Sequence, residues 1–161
     1  MATYTRSVRV AAPLDEVWDF HSRISGLEAL TPGWMNMRVE DVRDAQGNPD
    51  PEIMDAGAVA VTSVRPFDVG PRQTWTSEIR VREREGRSAR FVDEMTDGPF
   101  AHWVHTHLFY ADGGDTIVCD RVEYELPGGP PGRAVSPLAF VGFEPMFRYR
   151  HRKTRKLLES R

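Results

Sequence analysis

FAHWVHTHLFYADGGDTIVCDRVEYEL, residues 100–126, is the stretch on which the fold is decided. Two runs rich in β-branched and aromatic residues flank the turn signal Asp112-Gly113-Gly114, which predicts a β-hairpin. Alternate side chains of a strand share a face. Trp103, His105, His107 and Phe109 therefore share one face of the first run, against His102, Val104, Thr106, Leu108 and Tyr110. The second run divides into Thr116, Val118, Asp120, Val122, Tyr124 and Leu126 against Ile117, Cys119, Arg121, Glu123 and Glu125. The latter set carries the charges, so the former faces inward. A two-residue turn at Gly113-Gly114 sets His107 opposite Asp120, and a register slip by two would set His105 there instead. In either register a histidine meets Asp120.

Upstream, three more strand patterns occupy Ala58–Val64, Gln73–Arg84 and Arg87–Met95, punctuated at Pro66 to Pro71, Glu85-Gly86 and Asp97-Gly98-Pro99. Turn signals this close together predict an antiparallel meander. The chain opens with a strand at Tyr4–Val10. A helix follows from Pro13, which suits a first helical position with Asp15 and Glu16 in the first turn. A second short helix, about Ser25 to Leu30, stops before Thr31-Pro32-Gly33, and a strand at Met35–Val42 precedes a loop from Asp44 to Ala56. After Pro127-Gly128-Gly129-Pro130-Pro131-Gly132 the apolar period changes to 3.6, from Val135 through Phe143, Phe147 and Leu158. With Ser136 as N-cap and Pro137 behind it, this predicts one long amphipathic helix, bent near Pro145. The fold class is α+β: a curved antiparallel sheet of about seven strands gripping a C-terminal helix, in one domain over residues 1–161.

Composition narrows the function. A net charge of −3 gives no global attraction to nucleic acid or to an anionic bilayer. The N-terminus lacks a signal-peptide core, and no segment is long and apolar enough for stable membrane insertion. Cys119 is the single cysteine, which excludes an internal disulfide and fits a cytoplasmic location. The run Arg148 to Lys156 holds six of the 21 basic residues. A solvated helix face and the helix C-terminus account for it more simply than an anionic partner does. Arg80 to Arg87 alternates in sign like an exposed hairpin tip.

Several of these residues resemble the SRPBCC superfamily, the START-like proteins that share the helix-grip fold of the birch pollen allergen. They are Pro13 to Phe20 followed by Leu30-Thr31-Pro32; Trp75, Ser77 and Ile79; Phe91, Asp93 and Glu94; Gly98-Pro99-Phe100 with Trp103, His105, His107 and Phe109; Gly113 to Thr116, Asp120, Val122 to Tyr124 and Leu126-Pro127; and the basic-aromatic helix from Phe147 to Leu158. The pattern is similar to the bacterial cyclase/dehydrase-like, ligand-binding subgroup and covers nearly the whole chain. The resemblance implies a helix-grip fold with an internal cavity that binds or carries a hydrophobic small molecule, such as a lipid or polyketide. It also admits a polyketide cyclase/dehydratase-type lyase, and an interaction module with a vestigial pocket. A homodimer or a partner oxidoreductase are the protein partners it leaves open, and it implies no cofactor.

The candidate site is an inward cluster of Asp93, His105, His107 and Asp120, walled by Trp75, Phe91, Trp103, Phe109 and Tyr124, with Phe143, Met146 and Phe147 facing it from the helix. Four readings attach to it. It is a hydrogen-bond network that sets the register of the sheet, or a polar patch that orients a ligand's carbonyl or hydroxyl. Alternatively it is an acid–base pair of His105 or His107 with Asp120, or a three-ligand metal site. His-x-His recurs on many strands, so the pattern alone assigns no metal.

Overall fold

The computed structural model describes residues 1–159. Strand β1 (Ala2–Val10) leads into α1 (Leu14–His21) and α2 (Ile24–Leu30), followed by β2 (Arg38–Arg43), β3 (Val59–Val64), β4 (Gln73–Glu85), β5 (Ser88–Asp97), β6 (His102–Asp112) and β7 (Asp115–Glu125). The chain then forms α3 (Gly129–Val135) and α4 (Phe140–Leu158). All strand pairs are antiparallel, in the order β1-β7-β6-β5-β4-β3-β2. Sequence neighbours pair from β2 to β7, as short turns dictate, and only β1 joins out of order against β7. The β6–β7 register places His107 opposite Asp120, the first of the two pairings expected from the Gly113-Gly114 turn. Among the described residues no helix is long and apolar enough to cross a membrane.

The C-terminal third departs from the expected single helix. Gly128 takes a φ of 103°, which turns the chain into α3, and Pro130 and Pro131 fall in the first turn of that helix, where no N–H donor is required. The run of prolines and glycines is thus a helix start and not a loop. A 3-10 turn, Ser136–Ala139, joins α3 to α4. Ser136 is not an N-cap: its hydroxyl donates to the Gly132 carbonyl and accepts the Leu126 N–H, both at 2.9 Å, and its carbonyl accepts the Tyr124 hydroxyl at 2.8 Å. These bonds tie the helix junction to the end of β7. The strand expected from Met35 begins at Arg38, because Gly33–Met35 forms a 3-10 turn closed by Asn36 in the left-handed region.

The inner face carries two apolar clusters. One, beneath α1, comprises Val10, Leu14, Val17, Trp18, Ile79, Phe91, Phe109, Val118 and Leu158 among others. The second, beneath the first half of α4, comprises Tyr4, Trp103, Val122, Tyr124, Phe143 and Phe147. Reading along β6, the buried residues run Trp103, His105, His107, Phe109; along β7, Tyr124, Val122, Asp120, Val118, Thr116; along α4, Phe143, Phe147, His151, Thr154, Leu158. On each element a histidine or aspartate occupies the seam between the two apolar clusters.

Two glycines test this packing in opposite directions. A Cβ on Gly132 would sit 2.0 Å from the Pro127 carbonyl oxygen, whereas one on Gly142, in α4, would meet nothing within 4 Å. Gly132→Ala is expected to destabilise the protein by about 2 kcal/mol through overpacking, and Gly142→Ala to stabilise it by about 0.5–1 kcal/mol through helix propensity. Urea unfolding of the two variants reads both signs.

Candidate functional site

Three adjacent strands and one helix bring the ionisable groups together. Asp93 on β5 lies opposite His105, and Phe91 opposite His107. The His105 and His107 rings stack with centroids 3.6 Å apart, and Phe91 covers the other face of His107 at 3.8 Å. Phe147 of α4 meets His105 edge-on at 5.4 Å. The stacked imidazole pair is flanked by two carboxylates. His107 Nε2 bonds Asp93 Oδ2 at 2.6 Å, and His105 Nε2 bonds Asp120 Oδ1 at 2.7 Å. His151, from α4, bonds the other Asp120 oxygen, Oδ2, at 2.6 Å. The longer diagonals are His105 Nδ1 to Asp93 Oδ2 at 3.9 Å and His107 Nδ1 to Asp120 Oδ1 at 3.4 Å.

The electrostatics follow from burial in competition with pairing. Burial alone would push Asp120 upward, but the bonds from His105 and His151, with His107 close by, hold it well below the usual carboxylate range. Burial acts likewise on Asp93, and the His107 bond with the neighbouring cationic groups overcomes it. Burial and the adjacent His107 depress His105 despite its bond to Asp120. Burial also opposes protonation of His107, yet its two carboxylate neighbours raise it on balance. At 3.4 Å the His107 Nδ1–Asp120 contact acts through charge and does not satisfy a hydrogen bond. His107 is therefore the imidazole of the cluster whose protonated form its surroundings favour, between two aspartates held low. The Nδ1 of His151 and the Nε of Arg150 are buried without a hydrogen-bond partner among the described residues.

The other sequence-derived site residues divide between the two apolar clusters. Trp103, Tyr124, Phe143 and Phe147 belong to the cluster beneath α4, with Trp75 and Met146 partly buried against it. Trp75 stands edge-on to Trp103 at 4.9 Å, and Phe143 meets Tyr124 at 4.8 Å and Trp103 at 5.3 Å. Phe109 lies behind Phe91 in the other cluster, against Trp18 and His21. Rings from sheet and helix thus touch directly, so a guest must part them or enter from the half-exposed edge. A surface groove of about 600 Å³ runs along α4 between Trp34 and Arg152.

His151 escaped the sequence reading. The signal was its place in the buried spacing Phe147, His151, Thr154, Leu158, hidden within a run of arginines and lysines.

The model of the polyketide cyclase/dehydrase and lipid transport family matches residues 10–146, and the chain belongs to that family. Among solved structures it is similar to the protein CV1439 of Chromobacterium violaceum, at 13% identity and a TM-score of 0.69, covering 98% of this chain and 96% of that one. It is also similar to a point mutant of norcoclaurine synthase from Thalictrum flavum solved with a transition-state analogue, at 17% identity and a TM-score of 0.67, covering 99% and 94%. A START superfamily protein of Mycobacterium smegmatis aligns at 14% identity and a TM-score of 0.61, covering 96% and 98%. At these identities the likeness is one of fold, which is the START-like helix grip. No match is found among curated proteins.

Acid should loosen this seam. The depressed Asp93 and Asp120 contribute stability above the ordinary carboxylate range, and it is lost as pH falls through their folded values. His105 is depressed, and His21 is held down to about 4 by burial, so the unfolded chain takes up protons first as pH falls below 6.5. His107 has the opposite sign and loses its contribution as pH rises. The expected net result is a melting temperature that declines from neutral pH toward pH 4. His21→Gln should flatten the upper part of that decline, which calorimetry at a series of pH values measures.

Proposed function

We propose that the protein binds a small hydrophobic molecule with a polar head, between the sheet and the first half of α4. The observation that carries this reading is the grading of the inner face. Trp75, Met95, Phe100 and Met146 are only half-buried around the apolar cluster, while the ionised groups beside that cluster lie deep. Each 100 Å² of apolar surface covered by a guest is worth about 2.5 kcal/mol. The polar head would meet buried nitrogens that lack partners among the described residues, on Arg150 and His151. Family membership and the fold support hydrophobic ligand binding in general, and the norcoclaurine synthase neighbour was solved with a transition-state analogue. Lipid or polyketide carriage is the specific form proposed here, in the cytoplasm.

Native mass spectrometry of the purified protein should show an adduct heavier than the chain, and anilinonaphthalene sulfonate should gain fluorescence on binding. Met146→Glu, which places a charge on the half-buried edge, should weaken probe binding about 10-fold, equivalent to about 1.4 kcal/mol. A bare chain mass together with no fluorescence gain would rule the reading out.

A second reading rests on the 2.7 Å bond between His105 Nε2 and Asp120 Oδ1. It makes the grip a cyclase/dehydratase-type enzyme in which Asp120 orients an imidazole that acts as acid–base catalyst. Asp120→Asn should then abolish turnover of a polyketide-like substrate while probe affinity stays within about 3-fold, a change of less than 1 kcal/mol. Undiminished turnover would remove the catalytic role.

A further inference from the structure

We propose that Asp93, His105 and His107 bind a divalent transition-metal ion of the zinc type. One donor atom from each of the three lies within 4.8 Å of the others. Asp93 Oδ2 faces His107 Nε2 at 2.6 Å and His105 Nδ1 at 3.9 Å, so one carboxylate oxygen addresses both stacked rings from the same side. Ligands of a tetrahedral zinc stand about 3.3 Å apart, given metal–ligand bonds of about 2.0–2.1 Å. Opening the first contact, closing the second and rotating the two rings out of their stacked arrangement, so that both nitrogen lone pairs converge, would bring the three donors onto one ion.

The far sides of the same rings carry the stronger argument. A metal-ligating histidine directs its other ring N–H to a carboxylate or carbonyl, which orients the ring and raises its basicity. Here His105 has that partner, and His107 faces the same carboxylate from a longer distance. His105 Nε2 donates to Asp120 Oδ1 at 2.7 Å, and His107 Nδ1 points at that oxygen from 3.4 Å. Asp120 is itself held by His151 Nε2 through Oδ2 at 2.6 Å. The cluster thus has an inner ligand set on one side of the imidazole pair and an orienting carboxylate on the other. This division accounts for a second, partly buried carboxylate, Asp93, set against the other side of the imidazole pair.

Two imidazoles and one carboxylate suit zinc, and also cobalt, nickel and ferrous iron, while disfavouring calcium and magnesium. Three protein ligands leave a fourth position open, as catalytic zinc sites do. Asp93, whose side chain keeps 18% of its surface exposed, is the side on which the site meets solvent. Binding exchanges the proton shared by His107 and Asp93 for the ion and releases it to water. The inference is independent of the hydrophobic guest, because its test uses metal alone.

The protein, stripped with chelator, is titrated with Zn²⁺ by calorimetry and with Co²⁺ by visible absorption and proton NMR. A single ion per chain is expected, with a four- or five-coordinate cobalt spectrum and two hyperfine-shifted, exchangeable imidazole N–H resonances. His107→Gln and Asp93→Asn should each lower zinc affinity at least about 100-fold, and Asp120→Asn about 10- to 100-fold, the range for an orienting partner. His102→Ala, on the opposite face of β6, should bind as wild type. Should a substituted protein fail to fold, the wild-type cobalt spectrum decides alone. A wild type that takes up no zinc, cobalt without shifted imidazole resonances, or zinc affinity unchanged in His107→Gln would overturn the site.

Discussion

Two aspartates, the buried Asp120 and the partly buried Asp93, are both held low by histidines, and the side chains around them are arranged to keep them paired. A buried carboxylate without partners costs several kcal/mol, and removing one member of such a pair is commonly worth about 3–5 kcal/mol. Asp120 meets the requirement with imidazoles from two elements, His105 on β6 and His151 on α4, and Asp93 meets it with His107. The sheet–helix contact is therefore not only apolar. A charged seam crosses it, with ring clusters on either side that exclude water and sharpen the electrostatics within.

That seam was partly legible in the chain. Alternation along residues 103–109 and 116–126, with the two-glycine turn between them, was enough to bring His107 to Asp120, because a strand's period of two leaves only registers that differ by whole steps. Asp93 was placed on the inner face by the same rule, although its partner could not be read across the Thr96–Pro99 turn. Bulges in β4, at Thr76/Ser77 and Ile79/Val81, add a further irregularity that alternation does not encode. They let Arg82 turn inward onto the Trp18 ring at 4.7 Å.

What stayed hidden has physical causes. His151 sits among Arg148, Arg150, Arg152 and Lys153, so the polar run masks one inward-facing position. The α3 segment is written in prolines and glycines, which usually interrupt helices, but at a helix start they do not. A further irregular segment is a loop carrying Phe67 and Asp68 in the left-handed region, at φ of 55° and 58°. There Phe67 stacks on Trp34 at 4.9 Å while staying 70% exposed.

The matched order of apolar and polar groups on β6, β7 and α4 also acts as an index for the helix. A shift of α4 by one turn, about 5.4 Å, would bring Phe147 or Thr154 against Asp120 and carry His151 away from it. Either displacement breaks the bond from His151 and leaves the buried carboxylate short of a partner, so the register of α4 on the sheet is fixed. A guest of the kind proposed would therefore part the Phe143 end of α4 from the sheet, with the bond from His151 to Asp120 as the fixed point.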